Sequence, residues 1–300
     1  MPRLISVIGD SISTFEGAIP TINRCFYYKG NASLTGVDAP ADTWWMRAID
    51  ALGGELLANA SYSGSMVEGS GFPAGSCIER AAQVLGANGE VPDSILIFYG
   101  INDYGWGGAV AQAQGRGTNV PVWFDLLGYP ESEAGLAPDN AVELFEQAYS
   151  QMLSHLRDVA PNASIYCISL LPGRMAVHDK PDFCYSLRGK TLDEYNDAIA
   201  RAARSQNCEF VDIRAFAYDY SSSDGTHPDA IGMQQLAAMV VAGIEGLDSP
   251  MQLDPARFDA ATLFPECMCS ERFCMKSDCI GCEFAENTGN KWSLVCNRMQ

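Results

Sequence analysis

The apolar run Leu4-Ile5-Ser6-Val7-Ile8 stops abruptly at Gly9-Asp10-Ser11, and this junction constrains the chain more than any other stretch. A short run rich in β-branched side chains and closed by glycine predicts a central strand of a parallel sheet, buried on both faces. Ligands of open α/β sheets gather beyond the carboxyl ends of such strands, so Ser11 stands where a nucleophile would stand. A serine hydroxyl attacks only when a base takes its proton and an acid orients that base. The chain offers three histidines for the purpose, His155, His178 and His227.

Four further runs read as strands: Glu55 to Asn59, Ser94 to Tyr99, Ser164 to Leu170 and Glu209 to Ile213. Helical stretches separate them. Thr43 opens one that Gly53-Gly54 ends, and another spans roughly Ser76 to Leu85. A third shows an apolar face from Asn140 to Arg157, and a fourth starts at the capping box Thr191-Leu192-Asp193-Glu194. A last helix follows His227, with Pro228 expected in its first turn. Residues 12–42, 104–138 and 171–189 have no period and read as loops. Strictly alternating strands and helices predict an α/β fold, a three-layer α/β/α sandwich around five parallel strands joined by right-handed crossovers. Beyond about Gly246 the alternation stops and Pro, Asp and then Cys dominate. A boundary near Ser249 therefore divides a catalytic domain, 1–248, from a linker and Cys-rich tail, 249–300.

Charge narrows the partners. Nineteen basic residues against 37 acidic ones leave a net charge of −18, which repels phosphate backbones and anionic lipid surfaces. Nucleic acid and membrane are set aside on that ground, and a small molecule is expected instead. The apolar stretches fall far short of the ~20 residues that span a bilayer. The first strand starts too early to leave room for an export signal, so a cytoplasmic location is expected.

His227 is the candidate base, because Asp224 precedes it by three residues and can hold Nδ1–H. Read alone, Asp224-Gly225 is equally an ordinary β-turn, and Ser11 equally a residue closing a turn. The two follow strands of one sheet, which strengthens the pairing. Acyl transfer also needs donors for the developing oxyanion. The N–H of Ser11, the N–H of Gly64 and the side-chain amide of Asn102 are the candidates, each following one of the first three strands.

Gly9-Asp10-Ser11, Gly64, Gly100-Ile101-Asn102-Asp103 and Asp224-Gly225-Thr226-His227 together resemble the four sequence blocks of the SGNH, or GDSL-type, hydrolases, in order and spacing. The resemblance spans residues 4 to about 245. It implies a flavodoxin-like sandwich and a serine esterase with Ser11 as nucleophile, His227 as base and then acid, and Asp224 as its orienter. Ser11, Gly64 and Asn102 would form the oxyanion hole. The opening Gly-Asp-Ser-Ile-Ser-Thr-Phe-Glu-Gly, with Thr43-Trp44-Trp45 after it, looks like a bacterial group linked to removal of acetyl esters from carbohydrates. A lysophospholipase or thioesterase of the same fold, and a non-catalytic protein recruiting partners through its tail, are the alternatives. The chain has no Gly-x-Ser-x-Gly elbow, Walker loop or His-Glu-x-x-His helix.

Trp106, Trp123 and Tyr104 are candidates to stack on sugar rings, or else to pin their loop to the core. Arg174 either meets a polar or anionic substrate or is a surface arginine. In the tail, Cys274, Cys279, Cys282 and Cys296 follow C-x4-C-x2-C-x13-C, a spacing that suits structural zinc. An iron–sulphur centre, disulfides and free thiols are the other readings, and the part played by Cys267 and Cys269 stays open. No cofactor is expected in catalysis.

Overall fold

The computed structural model describes residues 2–106, 137–171, 173–175, 186–187, 189–264, 285–287 and 294–296. Five strands form one parallel sheet: β1 (Arg3–Gly9), β2 (Gly54–Asn59), β3 (Ser94–Phe98), β4 (Ser164–Ile168) and β5 (Glu209–Val211), in the order β2-β1-β3-β4-β5. Every residue of β3 is buried, as are the last five of β1, which explains why both read as unbroken apolar runs.

The helices cover both faces. α1 (Trp44–Ala51) packs on α6 (Ala230–Ile244), while α4 (Ala141–Val159) packs on α5 (Leu192–Ser205) and on α2 (Ile78–Ala82). A short α3 (Ile101–Trp106) follows β3 directly. This is the doubly wound arrangement in which strand order reverses beside β1, so the carboxyl ends of β1 and β3 open a crevice between them. Trp44, Trp45 and most of α6 are fully buried against one face of the sheet, and Phe145, Tyr149 and Leu153 of α4 belong to the same core.

Local chemistry sets the helix starts. Thr191 Oγ1 accepts from the Glu194 N–H at 3.2 Å while Glu194 Oε2 accepts from the Thr191 N–H at 2.6 Å, closing the expected capping box. The last helix starts later than its sequence suggests. Pro228 lies before it, bridged to Ser222, and Asp229 is the N-cap, its Oδ1 accepting from Ile231 and Gly232 N–H at 3.0 and 2.8 Å. Pro228 has no N–H to give and its carbonyl accepts from Tyr27 Oη at 2.8 Å, so it serves the turn, and aspartate is the stronger cap.

Packing continues past Ser249: Leu253, Phe258, Leu263 and Phe264 are buried in the main core, and Gln235 Nε2 donates to the Leu263 carbonyl at 2.7 Å. In the tail, Ala285–Asn287 and Leu294–Cys296 pair as an antiparallel two-stranded ribbon. Cys274, Cys279 and Cys282, and the side chain of Cys296, lie outside the described residues. No described helix is long and apolar enough to cross a membrane.

Candidate active site

β1 delivers Ser11 into a single 3-10 turn, Ser11–Ser13, capped by Asp10, whose Oδ1 accepts from the Ile12 N–H at 3.0 Å. The backbone N–H of Ser11 is among the first donors of this turn, which the turn itself leaves uncommitted. On the far side, Tyr220–Ser222 forms a short strand beside Gly173–Met175 and leads into the turn that carries Asp224 and His227. That turn is tightly closed. Asp224 Oδ1 accepts from the N–H groups of Thr226 and His227 at 3.1 and 2.8 Å, Ser223 N–H donates to the His227 carbonyl at 2.9 Å, and Tyr220 Oη donates to Thr226 at 2.7 Å.

The three side chains meet although 216 positions separate the serine from the histidine. Asp224 Oδ2 lies 2.6 Å from His227 Nδ1, and His227 Nε2 lies 2.8 Å from Ser11 Oγ. The tautomer follows from chemistry: a carboxylate only accepts, so Nδ1 carries the proton and Nε2 is free to accept from the serine hydroxyl. Ser11 and His227 are both almost fully buried. Burial opposes ionisation of Asp224, but the imidazole and the two backbone donors outweigh it and hold the carboxyl below its ordinary pKa of 3.8. The aspartate is thus an anion beside the ring that must become cationic.

The other candidate donors lie on adjoining loops. Gly64 holds φ at +80°, a left-handed conformation that glycine adopts without strain. Its neighbours spend their N–H groups inside the protein, Ser63 on the Arg24 carbonyl at 2.9 Å and Ser65 on the Tyr62 carbonyl at 3.2 Å. Asn102, at the start of α3, donates from Nδ2 to the Ser65 carbonyl at 2.8 Å, which ties it to the Gly64 loop and leaves its second Nδ2 hydrogen uncommitted by that bond. Its Oδ1 is buried with no partner among the described residues.

Sequence reasoning gave no role to the residues that brace this constellation. Asp103 is fully buried, and its two oxygens accept from Val67 and Glu68 N–H at 2.9 Å each, fastening the far end of the Gly64 loop to α3. Burial drives its pKa well above the ordinary value despite those donors. Arg80, also fully buried, donates from Nη1 to Pro73 C=O at 2.6 Å and to Ser65 Oγ at 3.2 Å. No local pattern gives either residue this bracing role, since the partners lie on other elements.

Of its two readings, Tyr104 takes the core one: it is 1% exposed and packs edge-on against Tyr195 at 5.5 Å. Trp123, His178 and the side chains of Trp106 and Arg174 lie outside the described residues; Trp106 ends α3 and Arg174 is the middle residue of the short strand 173–175. His155 is on α4. Among the described residues no three His, Cys, Asp or Glu side chains are grouped to hold a metal ion.

Comparison with solved structures returns the same sheet-and-helix arrangement. A structure described as a GDSL-like lipase from Bacteroides uniformis is 25% identical, with a TM-score of 0.53, covering 82% of this chain and 97% of the other. One from Bacteroides ovatus, with the same description, is 23% identical at a TM-score of 0.53, covering 82% and 99%. A Lactobacillus plantarum protein aligns at 19% identity and a TM-score of 0.51, over 82% and 97% of the two chains. Comparison with curated proteins gives no match. The model of the GDSL-like lipase/acylhydrolase family matches residues 7–235, a span running from the strand that delivers Ser11 to the helix that follows His227, and the chain belongs to that family.

Proposed function

We propose that this protein is a serine esterase that hydrolyses small acyl esters, with Ser11, His227 and Asp224 as its catalytic triad. The observation that carries the reading is the continuous hydrogen-bonded line from Asp224 through His227 to Ser11, at 2.6 and 2.8 Å. As Ser11 Oγ attacks the ester carbonyl carbon, its proton passes to His227 Nε2, and Asp224 stabilises the imidazolium. The negative charge moves to the carbonyl oxygen, where Ser11 N–H, Gly64 N–H and Asn102 Nδ2 are the proposed donors; each such donor lowers a barrier by roughly 3 kcal/mol. Collapse breaks the ester C–O bond, and the proton on His227 goes to the departing alcohol. Water then attacks the acyl-serine by the same route in reverse, giving the acid and free Ser11.

The acyl group we favour is acetyl, on a carbohydrate, from the family branch that the opening motif resembles. Hydrolysis of a chromogenic acetate ester tests the assignment: Ser11→Ala should lose roughly 10⁴-fold or more in kcat, whereas equal rates for the two proteins would refute it. A panel of acetylated glycans against longer acyl esters then separates a carbohydrate esterase from a lysophospholipase or thioesterase. In the tail, Cys274, Cys279, Cys282 and Cys296 are proposed as structural zinc ligands on their spacing, a matter for metal analysis of reductively purified protein.

A further inference from the structure

The segment Asn23–Tyr28 has no task in the chemistry above, yet it is bonded to the Gly64 loop, to the Ser11 turn and to the residue after His227. Asn23 Nδ2 donates to the Ser61 carbonyl at 3.0 Å, and the Arg24 carbonyl accepts from Ser63 N–H at 2.9 Å, both in the loop that carries Gly64. Phe26 N–H donates to Thr14 Oγ1 at 2.9 Å, and that hydroxyl donates in turn to the Ser11 carbonyl at 2.9 Å. The Tyr27 carbonyl accepts from Glu16 N–H at 2.9 Å, while Tyr27 Oη donates to the carbonyl of Pro228, next to His227, at 2.8 Å. Finally, the half-buried ring of Phe26 lies flat on the imidazole of His227, with centroids 3.5 Å apart and planes 7° from parallel.

The flat contact does something the two triad hydrogen bonds cannot do. Bonds to Nδ1 and Nε2 lie in the plane of the imidazole, so they fix its two ends but leave it free to tilt about the line joining them. A ring against its face removes that freedom. Face-to-face stacking is a poor arrangement for two neutral rings. A ring face does attract a cation, however, so the contact strengthens as His227 takes the Ser11 proton.

We propose that Phe26 is a positioning residue for the general base, and that the strap Asn23–Tyr28 holds His227, the Ser11 turn and the Gly64 loop in a common register. The inference rests on the reading that Ser11 and His227 hydrolyse esters, and its test separates the two. A fluorophosphonate probe reports activation of Ser11 without any choice of ester, and a chromogenic acetate gives kcat and KM. Phe26→Leu keeps most of the volume and loses the ring face. It should slow both phosphonylation of Ser11 and kcat by about 10- to 100-fold, the range in which small misplacement of a catalytic group acts, with KM changed less than about twofold. Phe26→Tyr, which keeps the face, should restore both rates to within about threefold of wild type. In the NMR spectrum the His227 ring protons should carry an upfield ring-current shift that Phe26→Leu abolishes.

Wild-type rates in Phe26→Leu, or a raised KM with kcat intact, would overturn the positioning role; the second result would make Phe26 a substrate contact. Absence of the ring-current shift from wild type would overturn the stack itself. If wild type fails to phosphonylate at Ser11, the hydrolase reading falls, while the NMR result still decides the stack. Should Phe26→Leu fail to fold, Thr14→Val cuts only the link from strap to nucleophile turn and should slow phosphonylation several-fold; an unchanged rate there rejects the common register.

Discussion

Arg80 Nη2 donates to the Gly9 carbonyl at 3.0 Å, so a guanidinium with no exposed surface holds the last residue of β1 two positions before Ser11. The same group reaches Pro73 and Ser65 and lies over the rings of Tyr62 and Tyr99 at 5.8 and 5.6 Å. Lysine has one ammonium and cannot span these acceptors in a fork. Arg80→Lys is expected to destabilise the fold by about 2–4 kcal/mol and to depress kcat, since Gly9 and Ser65 both border the site. Chemical denaturation and ester kinetics on one preparation check this; a variant as stable and as active as wild type would contradict it.

Asp103 offers a cleaner separation of loop from nucleophile. Asp103→Ala strands the Val67 and Glu68 N–H groups in a buried setting, at a cost of about 1–3 kcal/mol each. The loss should appear in kcat through the Gly64 loop, and Asp103→Asn, with one acceptor oxygen left, should fall between alanine and wild type on both measures.

Asp10 gives a pH dependence with a definite sign. Burial, opposed by the Ile12 N–H and by the charges of His227 and Arg80, raises its pKa from 3.8 to about 6. A carboxyl raised on folding binds its proton more tightly in the native state, so its contribution is complete below pH 3.8 and is lost as pH rises through about 6. The span corresponds to roughly 3 kcal/mol at most. Asp224, held low, acts oppositely and only below its ordinary value. Melting temperatures of wild type and Asp10→Asn between pH 4 and 7 should therefore converge toward the acid end, the mutant gaining relative stability as pH rises. Parallel curves would count against it.

Cys208 should be the most reactive of the cysteines in the described part of the chain. Its hydrogen bond with the Cys167 thiol, more than offsetting burial, and the guanidinium of Arg157, with Nη2 3.6 Å from the sulfur, bring its pKa down to about 7. Burial pushes Cys25 up to about 11 and raises Cys77 and Cys167 as well. Site-resolved alkylation by iodoacetamide should label Cys208 first, with a rate inflection near neutrality that Arg157→Leu moves upward. Earlier labelling of Cys25 would refute the ordering.

All five strands were legible as apolar runs, β1 and β3 most plainly because a strand inside a parallel sheet buries both faces, and the capping box at Thr191 was legible because it is wholly local. Ser11, Gly64, Asn102 and the Asp224–His227 turn were each ambiguous alone and stood out only together, as four blocks in order and spacing along one chain. Phe26 and Arg80 did not stand out, and Asp103 did so only as a member of the Gly100–Asp103 block. Phe26 meets His227 across the full length of the domain and Arg80 meets Gly9 across 71 residues, so their roles come from tertiary packing that no local pattern encodes. Pro228 misled for a related reason: proline suits either side of a helix start, and only the bridge to Ser222 decides.

On the proposed reading the nucleophile and its base stand 216 positions apart, with four of the five strands of the sheet between them in the chain. On that reading a chain growing from its amino terminus carries an unactivated serine until nearly the whole domain has emerged, and a fragment ending before the turn at Asp224 is expected to be inactive. Activity in this architecture would double as a readout of closure as far as the turn that carries His227.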